Sequence, residues 1–332
     1  MKDQNNLEQS SYSQVLLQFP HQLEYAKTLV KSFEAKNTFS RIVFVGMGGS
    51  GFVGDFFASY LSDISIPVHC LKSYDAPTYI QSDSLVFIIS YSGNTDETLE
   101  VYRRLMQRKV TAVSISCGGK LEQLAHMYDN MYIKIPSGIQ PRQATGYFIP
   151  PILKVLELAE IIPSHDDVLQ RTIQSLKKDI FENYAKDLVE KVRGTTPVMY
   201  GASSFSPIAY AWKTHLNETP KIPAFYNIIP ECLHNEISVY ETEVAKTQFS
   251  YLVLFDAFEK DKRILKKIHS FYDLLKTQHL ICQEIVIKGD SRLSQMLSAL
   301  YLGMWFAYYM AKDRGVDPTS IPIIESFKQK TK

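Results

Sequence analysis

Two short stretches of this chain combine residue types and spacing suited to holding an anion. Gly46-Met-Gly-Gly-Ser-Gly51 follows the run Arg41-Ile-Val-Phe-Val45 and precedes an apolar helical stretch. This G-x-G-x-x-G turn raises a dinucleotide site first: its glycines allow a tight bend, and backbone N–H groups around Gly49 and Ser50 can approach an anion at a helix N-terminus. A dinucleotide site also wants an acid at the end of the second strand to hold a ribose. That strand ends His69-Cys-Leu-Lys72, with no acid until Asp75, so the fingerprint is incomplete. Glycines needed only for strand–helix packing would leave the same pattern.

The second stretch is Ser90-Tyr-Ser-Gly-Asn-Thr95, three hydroxyl residues and a glycine between a strand and a helix. Ser90, Ser92 and Thr95 can each donate a hydrogen bond, and turn amides with the helix dipole add positive potential. Together they form a phosphate cradle without lysine. The competing reading is a helix N-cap, since Thr95-Asp-Glu-Thr98 has that character. One cap uses one hydroxyl, so three around a glycine favour phosphate. Downstream, Pro220 should end a helix and leave Glu218 at its rim. His234 opens His234-Asn-Glu-Ile237, and an imidazole is the side chain suited to exchanging a proton with a hydroxyl. Without further context, Glu218 is a solvated carboxylate and Arg142, in Pro141-Arg-Gln-Ala144, a surface charge.

The elements that position these residues alternate. Strands are expected at 41–45, 64–70, 85–90, 110–116 and 131–135, with helices at 52–61, 95–108 and 120–126 between them. An amphipathic segment is expected at 23–35. Long helical patterns at 146–162 and 166–192 follow, then strands at 197–200, 223–226, 249–255 and 280–287. Buried strands separated by helices imply parallel sheets covered on both faces. Val198-Met-Tyr-Gly-Ala-Ser-Ser204 echoes Val43-Phe-Val-Gly-Met-Gly-Gly-Ser50, a duplication at domain scale. The fold class is α/β: two doubly wound parallel-sheet domains with a C-terminal helix beginning near Pro318. The expected division is an N-terminal helical segment at 1–35, a first domain at 36–145, a helical connection at 146–193 and a second domain at 194–332.

Composition narrows the function classes. Hydrophobic residues are 45% and charged residues 21%, enough apolar surface for a full core, which excludes a disordered chain. Basic residues number 36 against 35 acidic, so no net field favours nucleic acid or an anionic membrane. The four cysteines, Cys70, Cys117, Cys232 and Cys282, are far apart, with no metal-ligand spacing. They read as reduced thiols of a cytoplasmic protein. The opening residues carry no apolar run of a signal peptide. The most apolar stretch, 297–311, falls short of the ~20 residues that span a bilayer and is expected as a buried helix.

The two anion loops together resemble the sugar isomerase (SIS) domain, and a chain of this length resembles two such domains. Within that superfamily the resemblance is to the bifunctional phosphoglucose/phosphomannose isomerases. The shared pieces are GMGGSG, SYSGNTxET, PRxA, a KxxxNE helix end, HNE and a C-terminal DPT…K helix, spread from residue 46 to 328. The resemblance implies isomerisation of glucose 6-phosphate, and of mannose 6-phosphate, with fructose 6-phosphate through an enediolate, with no redox cofactor or metal. It makes Glu218 the proton-transfer base and His234 the ring-opening residue, presented to the opposite subunit of a homodimer. It further makes Arg142 the cation near the enediolate and Lys328 an assistant in ring opening. Gly49, Ser50, Ser90, Ser92 and Thr95 would hold the phosphate. Glu236 would be a supporting carboxylate, and Thr319 the nearest match to a threonine linked to mannose phosphate acceptance. Val239-Tyr240 depart from the family's commoner Gly-Trp pair. The alternatives are an amino-sugar phosphate isomerase, weakened because no amidotransferase domain is present; a non-catalytic sugar-phosphate sensor; and a nicotinamide dehydrogenase.

Overall fold

The structure, a computed structural model, describes residues 11–34 and 38–330. The chain divides into two compact units, one up to Lys177 and the other from Lys178 on.

In the first unit, α1 (Tyr12–Leu17) and α2 (Phe19–Ala26) precede β1 (Arg41–Val45), α3 (Gly48–Tyr60), β2 (Val68–Leu71) and β3 (Ser84–Ile89). Then come α4 (Asp96–Met106), β4 (Thr111–Ser116), α5 (Gly119–Met127), β5 (Met131–Lys134), a 3-10 turn at Pro141–Gln143, α6 (Thr145–Leu158) and α7 (Asp166–Leu176). The sheet is all parallel in the order β2-β1-β3-β4-β5. β3 is buried along its whole length, as expected of a strand covered on both faces. Phe44 stacks between Phe57 and Phe87, with ring centroids 5.4 and 5.0 Å away, which ties β1 to α3 and β3.

The second unit repeats the plan. α8 (Ile180–Val192) leads into β6 (Thr196–Ala202), α9 (Ser206–Glu218), β7 (Phe225–Ile229) and 3-10 turns at Glu231–His234 and Ile237–Glu241. α10 (Glu243–Gln248), β8 (Phe249–Phe255), α11 (Lys262–Thr277), β9 (Ile281–Val286), α12 (Arg292–Asp313) and α13 (Pro322–Lys330) complete it. Its parallel sheet has the order β7-β6-β8-β9, the same winding as the first four strands of the other sheet. The duplication heard faintly in two strand ends is therefore a duplication of topology. Residues 297–311 lie inside α12, which is buried over most of its length. No helix of the described residues is long and apolar enough to cross a membrane.

Three expected helices differ in place. The N-terminal helical segment sits earlier than 23–35: a capping box between Ser11 and Gln14 starts α1, and Thr28 Oγ1 turns back onto the Tyr25 carbonyl after α2. Residues 1–10 and 35–37 lie outside the described residues. The pattern at 166–192 breaks into α7 and α8, because the buried positions step from Leu176 to Phe181, five residues, which loses the helical phase. The last helix begins at Pro322 rather than near Pro318. The Asp317 carboxylate accepts the N–H groups of Thr319 and Ser320 at 2.9 and 3.2 Å, a local turn that competes with helix.

Candidate active site

The order β2-β1-β3 reverses the direction of winding between β1 and β3, and such a switch point opens a crevice at the carboxyl ends of the strands. The two anion loops are the segments that leave those two strands. Their backbones interlock: Tyr91 N–H donates to the buried Ser50 Oγ at 3.1 Å. Ser50 thus joins the loops, while its own hydroxyl proton is available to a further acceptor.

Within Ser90–Thr95 the bend closes by Gly93 N–H to the Ser90 carbonyl at 3.1 Å and Asn94 N–H to Ser92 Oγ at 3.2 Å. Asn94 Oδ1 then accepts the Lys120 N–H at 3.1 Å, so α5 also braces the turn. Thr95 occupies the N-cap position of α4 but makes no side-chain cap bond. Its Oγ1 lies 2.9 Å from Ser90 Oγ instead. The hydroxyl that would serve a helix cap is thereby grouped with a buried serine beside the glycine. Ser92 is exposed at the turn.

Gly93 has φ +66°, and a Cβ there would fall 1.7 Å from the Gly118 carbonyl oxygen. Gly93→Ala is expected to destabilise the protein by about 2 kcal/mol or more, lowering its melting temperature by about 5 °C. An unchanged thermal midpoint would show that the turn does not need this conformation.

Arg142 is buried, in the 3-10 turn that packs on the start of α3. The missing side chain of Gly49 permits that approach: a Cβ would lie 3.3 Å from the Pro141 carbonyl oxygen and 3.6 Å from Arg142 Cα. The guanidinium donates to Gln140 Oε1 at 3.2 Å and lies over the Tyr12 ring. Distant parts of the chain hold the turn in place. Gln143 Nε2 donates to the Tyr12 carbonyl at 3.1 Å, Gln22 Nε2 to the Gln143 carbonyl at 2.9 Å, and Ile139 N–H to the buried Tyr91 hydroxyl at 3.2 Å. The sequence reading missed Tyr12, Gln22 and Tyr91, since nothing local marks partners 48 to 131 residues apart.

At the corresponding ends of β6 and β8 in the second unit, Ser204 meets carboxylates at its hydroxyl and the Arg292 guanidinium at its carbonyl, 2.9 Å away. Ser204 Oγ lies 2.8 Å from Asp256 Oδ2 and 2.7 Å from Glu259 Oε2. Two carboxylates there oppose an anion, unlike the hydroxyl pair of Ser90 and Thr95 in the first unit.

Glu218 is the last residue of α9, partly buried, and Thr219 N–H caps back to the His215 carbonyl at 2.9 Å. The negative end of a helix dipole gives no stability reason for an acid at that point. Lys221, with φ +54°, donates to the Thr219 carbonyl at 3.1 Å and to the Asp317 carbonyl. Thus the turn bearing Thr319 lies by the end of α9. His234 ends the 3-10 turn beyond β7 and is exposed. Since β6 and β7 are parallel and α9 runs back between them, Glu218 and His234 stand at opposite ends of the strands of this sheet. Between them lies β7, whose five residues rise ~17 Å, too far for both to touch one sugar in one chain. Lys328 lies on α13, which has no buried residue.

Thiol chemistry finds no support. Burial pushes Cys70 and Cys232 up to about 12 and Cys117 up to about 11, which keeps these sulfurs protonated and inert.

Comparisons with known proteins agree with this anatomy. Residues 38–158 match the SIS domain, and residues 181–331 match the bacterial phospho-glucose isomerase C-terminal SIS domain. A bifunctional phosphoglucose/phosphomannose isomerase of Aquifex aeolicus (strain VF5) is 32% identical over 295 residues, covering 88% of this chain and 90% of its own. One from Thermoplasma acidophilum is 32% identical over 321 residues, 95% of this chain and 97% of its own. Among solved structures, a hypothetical protein from Thermus thermophilus superposes with a TM-score of 0.76 at 15% identity, over 97% of this chain and 90% of its own, a likeness of fold. Both halves are matched in order and identity is near a third across almost the full length: the chain belongs to the bifunctional phosphoglucose/phosphomannose isomerase family.

Proposed function

We propose that the protein interconverts glucose 6-phosphate, and also mannose 6-phosphate, with fructose 6-phosphate in the cytoplasm. The observation that carries the phosphate end of this reading is the Ser90–Thr95 hydroxyl pair at 2.9 Å, formed by a threonine that forgoes capping its own helix. Ser50, Ser90, Ser92 and Thr95 hold the phosphate by charge-assisted hydrogen bonds, and Gly49 lets Arg142 stand close by. With the phosphate fixed, the sugar's C1 and C2 are presented to the groups that move protons. His234 passes a proton between the ring hydroxyl and ring oxygen, assisted by Lys328, which opens the ring. Glu218 takes a proton from C1 or C2 and returns it to the other carbon. Arg142 stabilises the enediolate oxygen charge between the two transfers.

The separation of Glu218 and His234 across one sheet supports a homodimer in which each site takes Glu218 from one chain and His234 from the other. The surface around His234 supports it too: Ile237, Val239 and Val244 are exposed there, an apolar patch of the kind that interfaces cover. Thr319, tied through Lys221 to the end of α9, is a candidate for accommodating mannose phosphate.

Incubation with fructose 6-phosphate and no added cofactor should yield both aldose phosphates. Absence of any aldose phosphate would leave a binding protein; product only from an amino sugar would favour the amino-sugar reading. The cradle has its own check. Ser92→Ala removes one bond to the phosphate, worth ~1.5–3 kcal/mol, so KM for fructose 6-phosphate should rise about ten- to a hundredfold with kcat less affected. Steady-state kinetics with unchanged KM in Ser92→Ala and Thr95→Ala would remove the cradle from the site.

A further inference from the structure

Behind His234 lies a hydrogen-bonded cluster that the reaction itself does not use. The chain from Cys232 to Glu236 closes on itself, Glu236 N–H donating to the Cys232 carbonyl at 2.9 Å. His234, midway in this small loop, is exposed, while Glu236 is tucked inward. The Glu236 carboxylate is held from two strands: Tyr200 of β6 donates its hydroxyl to Oε2 at 2.8 Å, and Asn227 of β7 donates Nδ2 to Oε1. Tyr240, from the following 3-10 turn, donates its hydroxyl to the Tyr200 oxygen at 3.1 Å. Both tyrosines are almost wholly buried. Burial raises the pKa of each phenol, so both keep the protons they donate. Each donor in this chain polarises the next toward the carboxylate. Apolar packing would hold the loop against the sheet, but a carboxylate gripped at both oxygens also fixes its direction, because hydrogen bonds are angular and apolar contacts are not.

We propose that Tyr200, Asn227 and Tyr240, acting through Glu236, are positioning residues that orient His234 for ring opening. This rests on the reading of His234 as the ring-opening residue. It separates two functions within one site: the cluster should govern ring opening and leave proton transfer between C1 and C2 untouched.

The test uses the full-length protein and two ketose phosphates. Fructose 6-phosphate must be opened from its ring; 5-deoxyfructose 6-phosphate lacks the hydroxyl that closes one. Solvent deuterium uptake at C1 reports enediolate formation from either. Tyr200→Phe is expected to slow exchange on fructose 6-phosphate about tenfold, with KM within about twofold, and to leave exchange on the 5-deoxy substrate within about twofold of wild type. Tyr240→Phe, which removes only the outer donor, should show the same selectivity with a loss of about threefold. Equal losses on both substrates, or no loss on either, overturn the proposal. Should Tyr200→Phe fail to fold, Glu236→Gln decides by the same comparison. His234→Ala measured alongside separates the two levels. If it slows both substrates equally, the ring-opening reading of His234 fails. If it is selective while Tyr200→Phe is not, only the positioning role fails.

Discussion

Glu218→Gln should lower isomerisation by about three to four orders of magnitude, the scale of a lost general base. The replacement keeps size and hydrogen bonding but cannot accept a proton. Affinity for fructose 6-phosphate should stay near the wild-type value, because the proposed phosphate contacts, Ser50, Ser90, Ser92 and Thr95, are untouched. Exchange of the C1 and C2 hydrogens with solvent deuterium should disappear with turnover, since both need the same carboxylate. Glucose and mannose phosphate present the C2 hydrogen on opposite faces of the open chain. One carboxylate serves both if the enediolate rotates about C2–C3 between transfers, so both activities should collapse together. A Glu218→Gln protein that loses glucose phosphate turnover but keeps that of mannose phosphate would reveal a second base.

Co-refolding inactive Glu218→Gln and His234→Ala proteins in equal amounts should restore about a quarter of wild-type activity. Half of the dimers are then hybrids, and each hybrid has one intact site out of two. The intact site joins Glu218 of the His234→Ala chain with His234 of the Glu218→Gln chain; the other site lacks both groups. The expectation follows from the ~17 Å rise of β7 that separates the two residues in one chain. Activity that stays at the level of the single mutants would mean that sites are not shared, as would full activity in either mutant alone. Restoration should also depend on dilution, since it requires dimers.

Much of the framework was legible in the residues. β1 and β8 coincide with their expected bounds, because short β-branched and aromatic runs ended by turn residues carry their strand signal locally. The two anion loops were visible for the same reason: glycine and hydroxyl spacing at a strand–helix junction is a pattern of a few residues. Proline at 220 likewise announced the end of α9 at Glu218. Where local signals compete, the reading slipped. The run at 166–192 is apolar enough for one helix, and only packing chose the break after Leu176.

Two parallel α/β units, two glycine- and hydroxyl-rich turns in the first and a helix ending at Glu218 in the second are legible in the residues, because periodicity and turn chemistry act over a few positions. What those groups face is set by the packing of distant segments. The loops after β1 and β3 meet because the sheet order makes those strands neighbours at a switch point, and Thr95 turns from its helix to Ser90 once they do. Arg142 is held by Tyr12, and its turn by Gln22, from more than a hundred residues away. Glu218 and His234, sixteen residues apart in the chain, stand at opposite ends of the strands because β7 carries the backbone from one end of the sheet to the other between them. Ser204, an echo of the first glycine turn by sequence, meets Asp256 and Glu259. Hydrogen bonds and charges between distant residues depend on which strands are adjacent, and adjacency is a property of the whole sheet rather than of any stretch of chain.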